Sequence, residues 1–203
     1  MSLAAKIKEL GEEIGLDIVR ITNAENFPQT EKYIIESVEK GYIPENNYHH
    51  KKNYLEKTEH INPNKIGKRC NPKSILKRAK SIISVAQCYL IEETETEDIQ
   101  DKNQPLGKIA KYDIGNFYYD VKLKLKKIID FINQETNYKY KSKNKSCYIS
   151  LTEKPIARRA GVGWYGKNGI IITERFGSWV VLGEILTELE LETDNPIQKD
   201  CGE

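Results

Sequence analysis

Arg158-Arg159-Ala160-Gly161-Val162-Gly163-Trp164-Tyr165-Gly166-Lys167-Asn168-Gly169 places four glycines within nine residues, with an aromatic pair between them and a lysine and an asparagine close behind. Glycine reaches positive φ without steric cost and lets the backbone come close to a neighbour. The run therefore predicts a tight loop pressed against something. Two familiar motifs fit its letters. Gly161 to Gly166 spells G-x-G-x-x-G, the dinucleotide pattern, which has force only after a strand and before a helix. Here the order is the opposite. Pro155 to Arg159 reads as helix, and the β-branched run Ile170 to Thr173 reads as strand. Gly161 to Lys167 also spells a phosphate-binding loop up to its last residue. The residue that should be Ser or Thr to bind magnesium is Asn168, and no helix N-terminus follows to hold phosphate. A nucleotide-binding or nucleotide-hydrolysing domain fails if a strand follows this loop. The plainest reading is a glycine-rich connector with no ligand.

Outward from the loop, Gly169–Thr173 and Ser178–Leu189 read as two strands, and the turn Glu174-Arg175-Phe176-Gly177 between them suggests an antiparallel hairpin. Upstream, Lys139, Lys141, Lys143 and Lys145 recur at period two. On a strand they share one face. Such a face beside Tyr138 and Tyr140 suits phosphate contact and base stacking. It equally suits an edge strand that uses lysine to block aggregation. Asn116 to Asn133 reads as an amphipathic helix, Ser81 to Leu90 as a strand buried on both faces, and Pro72 to Lys80 as a short helix. The chain opens with a helix bearing Leu3, Ile7, Leu10 and Ile14 at helical spacing, stopped at Gly15. A short strand at Asp17–Ile21 and a helix at Glu31–Lys40 follow. Tyr42–Lys68 reads as a polar loop with one or two helical turns, and Ile91–Gln104 as an acidic, solvated excursion. The expected fold class is α/β (α+β): a mixed central sheet of four or more strands flanked by helices, in a single domain. The glycine loop should lie at the rim of a broad pocket.

The length of 203 residues suits one domain with a real core. With 38% hydrophobic and 31% charged residues and a net charge of +2, the balance settles nothing about nucleic acid. No apolar run is long enough to span a bilayer. The polar opening helix resembles neither a signal nor a transit peptide, so a cytoplasmic protein with no membrane partner is expected. Cys70, Cys88, Cys147 and Cys201 are scattered, read as reduced thiols, and no pair has zinc spacing. His49, His50 and His60 fall in one polar stretch that reads as solvated loop.

Ala157 to Asn168, then Phe176-Gly177-Ser178-Trp179 and Leu182-Gly183-Glu184-Ile185-Leu186-Thr187, resemble the epoxyqueuosine reductase family. Weaker matches are Arg69-Cys70-Asn71-Pro72, Ala79 to Ala86 and the helix from Asn116. These are cobalamin-dependent iron–sulfur oxidoreductases that finish queuosine in tRNA. The resemblance implies a cobalamin-binding catalytic domain over residues 1–190. It implies the start of a truncated iron–sulfur module over 191–203, with Cys201 as the first thiolate ligand of a 4Fe–4S cluster, most of whose ligands lie elsewhere. The resemblance also puts a substrate-side cap at Tyr42–Lys68. It implies cofactor contacts from Arg69, Gly161, Gly163, Trp164, Gly166, Lys167, Asn168 and Ile171: glycines for close approach, isoleucine for apolar wall, and polar groups for the ring's amides or phosphate tail. It further implies tRNA as partner, through Lys139, Lys141, Lys143 and Lys145, and an external electron donor.

One departure stands out. In the family an aspartate supplies the proton to the opening epoxide, and counting back from Ala160-Gly161 puts Cys147 at its place. A thiol has a reference pKa of about 8.5 against about 3.9 for Asp, so it is the weaker acid. Glu153 matches a family glutamate. Cys147 is the expected catalytic residue. It also leaves open a related corrinoid iron–sulfur oxidoreductase with another substrate. A non-catalytic RNA-binding module built on the lysine strand is the remaining alternative.

Overall fold

Strand β2, Ser81–Cys88, is the spine: Ile82, Ile83, Val85 and Ala86 are all fully buried, so apolar surface is needed on both of its faces. The computed structural model supplies it, describing residues 1–42, 63–90, 107, 109–146 and 151–202. β2 lies between β1 (Ile18–Asn23) and β6 (Val180–Thr187), and β3 (Ser142–Ser146) completes the sheet in the order β1-β2-β6-β3. All three pairings are antiparallel, which corrects the expected mixed sheet; the class and the flanking helices stand. One face carries Ile83 and Val85 of β2 and Val181 and Ile185 of β6. It packs against α1 (Leu3–Glu13) and α5 (Phe117–Glu135), the latter preceded by the one-turn α4 (Lys111–Ile114), through Ile7, Val121, Leu125 and Ile128. Gly183 lets α5 lie close, since a Cβ there would stand 2.7 Å from Val121 Cγ1. The other face carries Ile82, Ala86 and Leu186. It is covered by α6 (Glu153–Ala160) through Ile156, Ala157 and Ala160.

The helices start and stop for local reasons. Ser2 caps α1 by accepting from Ala5 N, and Gly15 turns the chain at φ +85°. α2 (Pro28–Glu39) begins on Pro28, whose missing N–H costs nothing in a first turn, and none of its residues is fully buried. α3 (Pro63–Arg69) closes the stretch read as polar loop; the remainder of that stretch, the acidic run and the three histidines lie outside the described residues. The helix expected over Pro72–Lys80 is only a 3-10 turn, Pro72–Ser74, capped by Asn71.

Two further expectations are corrected. The lysine strand begins at Ser142, so Lys139 and Lys141 are not on it. Asn137 and Tyr138 take positive φ after α5, and the N–H groups of Tyr138 and Lys139 turn back to Asn133 and Thr136. The hairpin expected across Phe176-Gly177 is not the pairing found. β5 (Ile171–Ile172) pairs back with β4 (Trp164–Tyr165), while β6 leaves for the main sheet. A single bridge, Thr173 to Gly177, joins the two ends. Thr173 Oγ1 accepts from Phe176 N and donates to Gly177 O, and Trp179 N bonds Phe176 O, which swings the chain away.

After β6 the chain runs back over the domain. Leu191 N donates to Ser81 Oγ, and Asp194 accepts from Ile21 N at 2.8 Å and pairs with Lys8 at 2.6 Å. Among the described residues no helix is long and apolar enough to cross a membrane.

Candidate functional site around helix α6 and the glycine hairpin

α6 ends in a Schellman turn. Gly161 sits at φ +80° while Gly161 N bonds Arg158 O and Val162 N bonds Ala157 O. The following residues fold into the β4–β5 hairpin, whose tip is an Asx-type turn: Ile170 N donates to Asn168 Oδ1 and Gly166 N to Ile170 O. The nucleotide-loop readings therefore fail, because a strand and not a helix follows the glycines. The tight approaches predicted by the glycines are made, but with the chain itself. A Cβ on Gly161 would lie 2.2 Å from Asn195 O, and one on Gly163 2.2 Å from Ile172 O. Gly166 faces Asn168 and Ile172. Gly169, at φ +74°, has nothing within 4 Å of where its Cβ would stand. Lys167 is exposed beside it, Trp164 is half-buried, and Ile171 is in the core against Ala86, Ala157 and Val162.

On the far side of α6 lies an open cleft of about 980 Å³, walled by Phe27, Tyr33, Arg158, Tyr165, Pro196 and Lys199 among others. The hairpin does stand at the rim of a broad pocket, through Tyr165. Burial pushes the Tyr165 phenol up to about 12, against the opposing charge of Arg158. Arg159 is fixed: its guanidinium donates to Thr22 Oγ1, Asn23 O and Glu25 O and lies 3.8 Å over the Phe27 ring. Burial lowers its pKa to about 10. It pins α6 to the end of β1 rather than offering a free cation.

At the N-terminal end of α6 the polar groups are less settled. Thr152 N bonds Arg69 O, and Lys154 Nζ bonds Gly169 O at 2.8 Å, so Arg69 and the hairpin tip flank the same helix turn. Arg69 Nε is buried and has no partner among the described residues. Glu184 on β6 is fully buried, and neither carboxylate oxygen has a hydrogen bond among the described residues. Its register partner on β2 is Ser84, whose Oγ is equally buried and unpaired. Burial, and secondarily the charge of Glu153, holds the Glu184 carboxyl well above the usual range, so the neutral acid is favoured. Cys147 lies outside the described residues; β3 reaches Ser146, opposite Gly183.

The other expected residues are dispersed. Cys201 is exposed, with Sγ 3.5 Å from Tyr165 O, so it does lie against the hairpin. Lys143 Nζ is bonded to Ile75 O, Lys139 lies over the Tyr140 ring, and Lys141 offers its backbone N–H to Glu188. Lys145 stands on β3 opposite Glu184. Among the described residues no cluster of three or more metal-ligating side chains forms.

The family described as Epoxyqueuosine reductase QueG, DUF1730, matches residues 69–144. The epoxyqueuosine reductase of Lactococcus garvieae is 28% identical over 203 residues, covering 99% of this chain and 52% of the relative. That of Escherichia coli is 28% identical over 207 residues, covering 98% and 49%. The structure of epoxyqueuosine reductase from Streptococcus thermophilus matches 100% of this chain and 50% of its own at 28% identity, with a TM-score of 0.79. The chain is related to the epoxyqueuosine reductases. It spans about half the length of the epoxyqueuosine reductases it matches. At lower identity the same fold recurs in an epoxyqueuosine reductase crystallised with a tRNA-Tyr stem loop (24%, TM-score 0.71, 98% of this chain and 48% of that one). It recurs too in a reductive dehalogenase described as suggesting a mechanism for B12-dependent dehalogenation (11%, TM-score 0.55, 97% and 21%).

Reading the sequence for an epoxyqueuosine reductase site missed Glu184 as a chemical group. Its signal was present: an acid in the run Val180-Val181-Leu182-Gly183-Glu184-Ile185-Leu186 is out of keeping with a buried strand. Tyr165 and Arg159 were likewise read as parts of a motif rather than as a wall and an anchor.

Proposed function

We propose that this chain is the cofactor-binding half of a cobalamin- and 4Fe–4S-dependent oxidoreductase acting on the epoxide of epoxyqueuosine in tRNA. The observation that carries this reading is the match to the Streptococcus thermophilus enzyme along the whole chain. The tRNA stem loop bound to one relative and the B12 dependence ascribed to the dehalogenase support the choice of substrate and cofactor.

The residues present fit a large ring edged with amides. Arg69 Nε is a buried donor lacking a partner, and the hairpin tip at Gly169 is open where a side chain would stand. Arg69, Lys167 and the amide nitrogen of Asn168 would hold amides or the phosphate tail. Gly169 would allow close approach, and the exposed Ile170 would give apolar wall. Trp164 supports the hairpin from β4. Gly161, Gly163, Gly166 and Ile171 act at one remove, by letting the hairpin close on itself and on residues 195–196. Cobalamin, when bound, supplies a reducible cobalt centre for the bond-breaking step. Cys147 would hold the proton for the opening ring, and Cys201 would offer one thiolate to a cluster that supplies electrons from an external donor.

Titrating the chain with cob(II)alamin and following the visible absorbance tests this. Saturable spectral change, weakened by Arg69→Gln, is expected. No change with either protein rejects the cofactor. A second reading rests on Cys147: the same cofactor serving another substrate, recognised by cobalamin binding without activity on epoxyqueuosine-bearing RNA.

A further inference from the structure

An aromatic group stands where the main sheet ends. Tyr89 follows β2, Trp179 precedes β6, and Tyr89 N donates to Trp179 O at 3.0 Å, so the two are held side by side by the ladder itself. Around Tyr89, ring centroids lie at 5.7 Å to Trp179, 5.9 Å to Phe117 and 6.2 Å to Tyr112. The rings meet tilted or edge-on, and none is stacked flat on another. Lys111 Nζ lies 5.7 Å from the Trp179 ring centroid. These are large apolar groups left in water: Trp179 is 41% and Tyr112 44% exposed, although both are fixed from below by Tyr89. A tryptophan that is rigid yet this open is unusual for a surface with no partner. α5, which starts beneath the group at Phe117, presents exposed Lys122, Lys126 and Lys127. The group is also tied to the candidate site, since Trp179 comes two residues after Gly177, the end of the turn that follows the glycine hairpin.

We infer that Trp179 and Tyr112, braced by Tyr89 and Phe117, form a stacking platform for unpaired bases of an RNA loop. The inference rests on the tRNA reading above and gives it a surface. Braced aromatic faces, with exposed lysines further along the helix that starts at Phe117, suit single-stranded RNA, because bases stack irrespective of sequence while lysines meet phosphates. A protein interface is instead depleted of charge at its core, whereas here Lys111 Nζ lies over the Trp179 ring. The platform is separate from Lys139 and Lys141, and it does not need those lysines to share a strand face.

The test uses the full chain and two probes, a synthetic RNA hairpin with an anticodon-type loop and a blunt RNA duplex of the same stem. The parent protein should bind the hairpin more tightly than the duplex. Trp179→Ala and Tyr112→Ala should each weaken hairpin binding roughly 5- to 150-fold, the worth of one stacked base, and leave duplex binding unchanged. Trp179→Phe, which keeps an aromatic face, should recover most of the loss. Circular dichroism melting of each variant establishes that it is folded, and Tyr112→Ala serves if Trp179→Ala is not. Folded variants that bind the hairpin as the parent does overturn the platform while leaving the tRNA reading intact. A parent that does not distinguish hairpin from duplex overturns both. Altered self-association on Trp179→Ala with RNA binding unchanged makes the patch a protein interface and also overturns the inference.

Discussion

Glu184→Gln should flatten the pH dependence of stability. Glu184 is fully buried, neither oxygen is hydrogen-bonded, and its carboxyl is held well above the ordinary range by burial and by Glu153. In the folded state it therefore keeps its proton at pH values where the unfolded chain has lost it. A raised carboxyl pKa means that the folded state binds more protons, so its contribution is fully present below the unfolded value of about 4.3 and declines as pH rises towards the folded one. Within that window one proton difference is worth about 1.4 kcal/mol per pH unit. Between pH 5 and pH 7 the wild type should then lose up to about 2.7 kcal/mol relative to the glutamine variant, which keeps the shape and cannot ionise. Urea unfolding of both proteins at half-unit pH steps measures this. Two curves that run parallel from pH 5 to pH 8 would refute the argument, because they would mean that Glu184 ionises in the fold at no cost and is solvated or paired.

Three more outcomes are expected, two from the packing and one from the sequence position of Cys147. Ser84→Ala removes a buried hydroxyl with no partner and should raise stability by about 1 kcal/mol in chemical denaturation, where a serine in a satisfied site would lose stability instead. Gly161→Ala meets both a φ of +80° and the Asn195 carbonyl and should cost well over the ~1 kcal/mol expected at Gly169, where φ is similar but the space is open; equal losses in the two variants would show that the Asn195 contact is unimportant. In an enzyme of the relatives' full length, Cys147→Ala should lower epoxide reduction by ~10²–10⁴-fold with cobalamin binding retained, and Cys147→Asp should keep or raise it, as measured by product formation on epoxyqueuosine-bearing RNA.

Much of the fold could be read from the sequence because its signals are local. The spacing of Leu3, Ile7 and Leu10 gives α1, the two-faced apolar run Ile82 to Ala86 gives the central strand, and Val121, Leu125 and Ile128 give α5. What failed is what depends on partners far along the chain. Ile171-Ile172 and Val180–Thr187 look like the two arms of a hairpin, but nothing in their residues states that one pairs with Trp164-Tyr165 and the other with β2 and β3. The lysine alternation was real, yet the left-handed residues Asn137 and Tyr138 delay the strand past half of it. At the site, glycine density correctly announced close approach, but composition does not say to whom. At Gly161 and Gly163 the neighbour is Asn195 or Ile172 and not a ligand. Glu184 was legible as an anomaly of composition, while its lack of any partner is a fact of packing alone.

The seam between Gly161 and residues 195–196 has a bearing on how such a sequence is able to change over time. The Asn195 carbonyl occupies the space where any side chain at 161 would begin, and Asp194, one residue earlier, is clasped by Ile21, Lys8 and Arg20. Residue 161 and the run 194–196 are consequently coupled by packing. A substitution at the helix terminus is admissible only with a shift of that run, and a shift of that run breaks a bond to the first strand. Three stretches distant in sequence are held to one another around one missing methyl group.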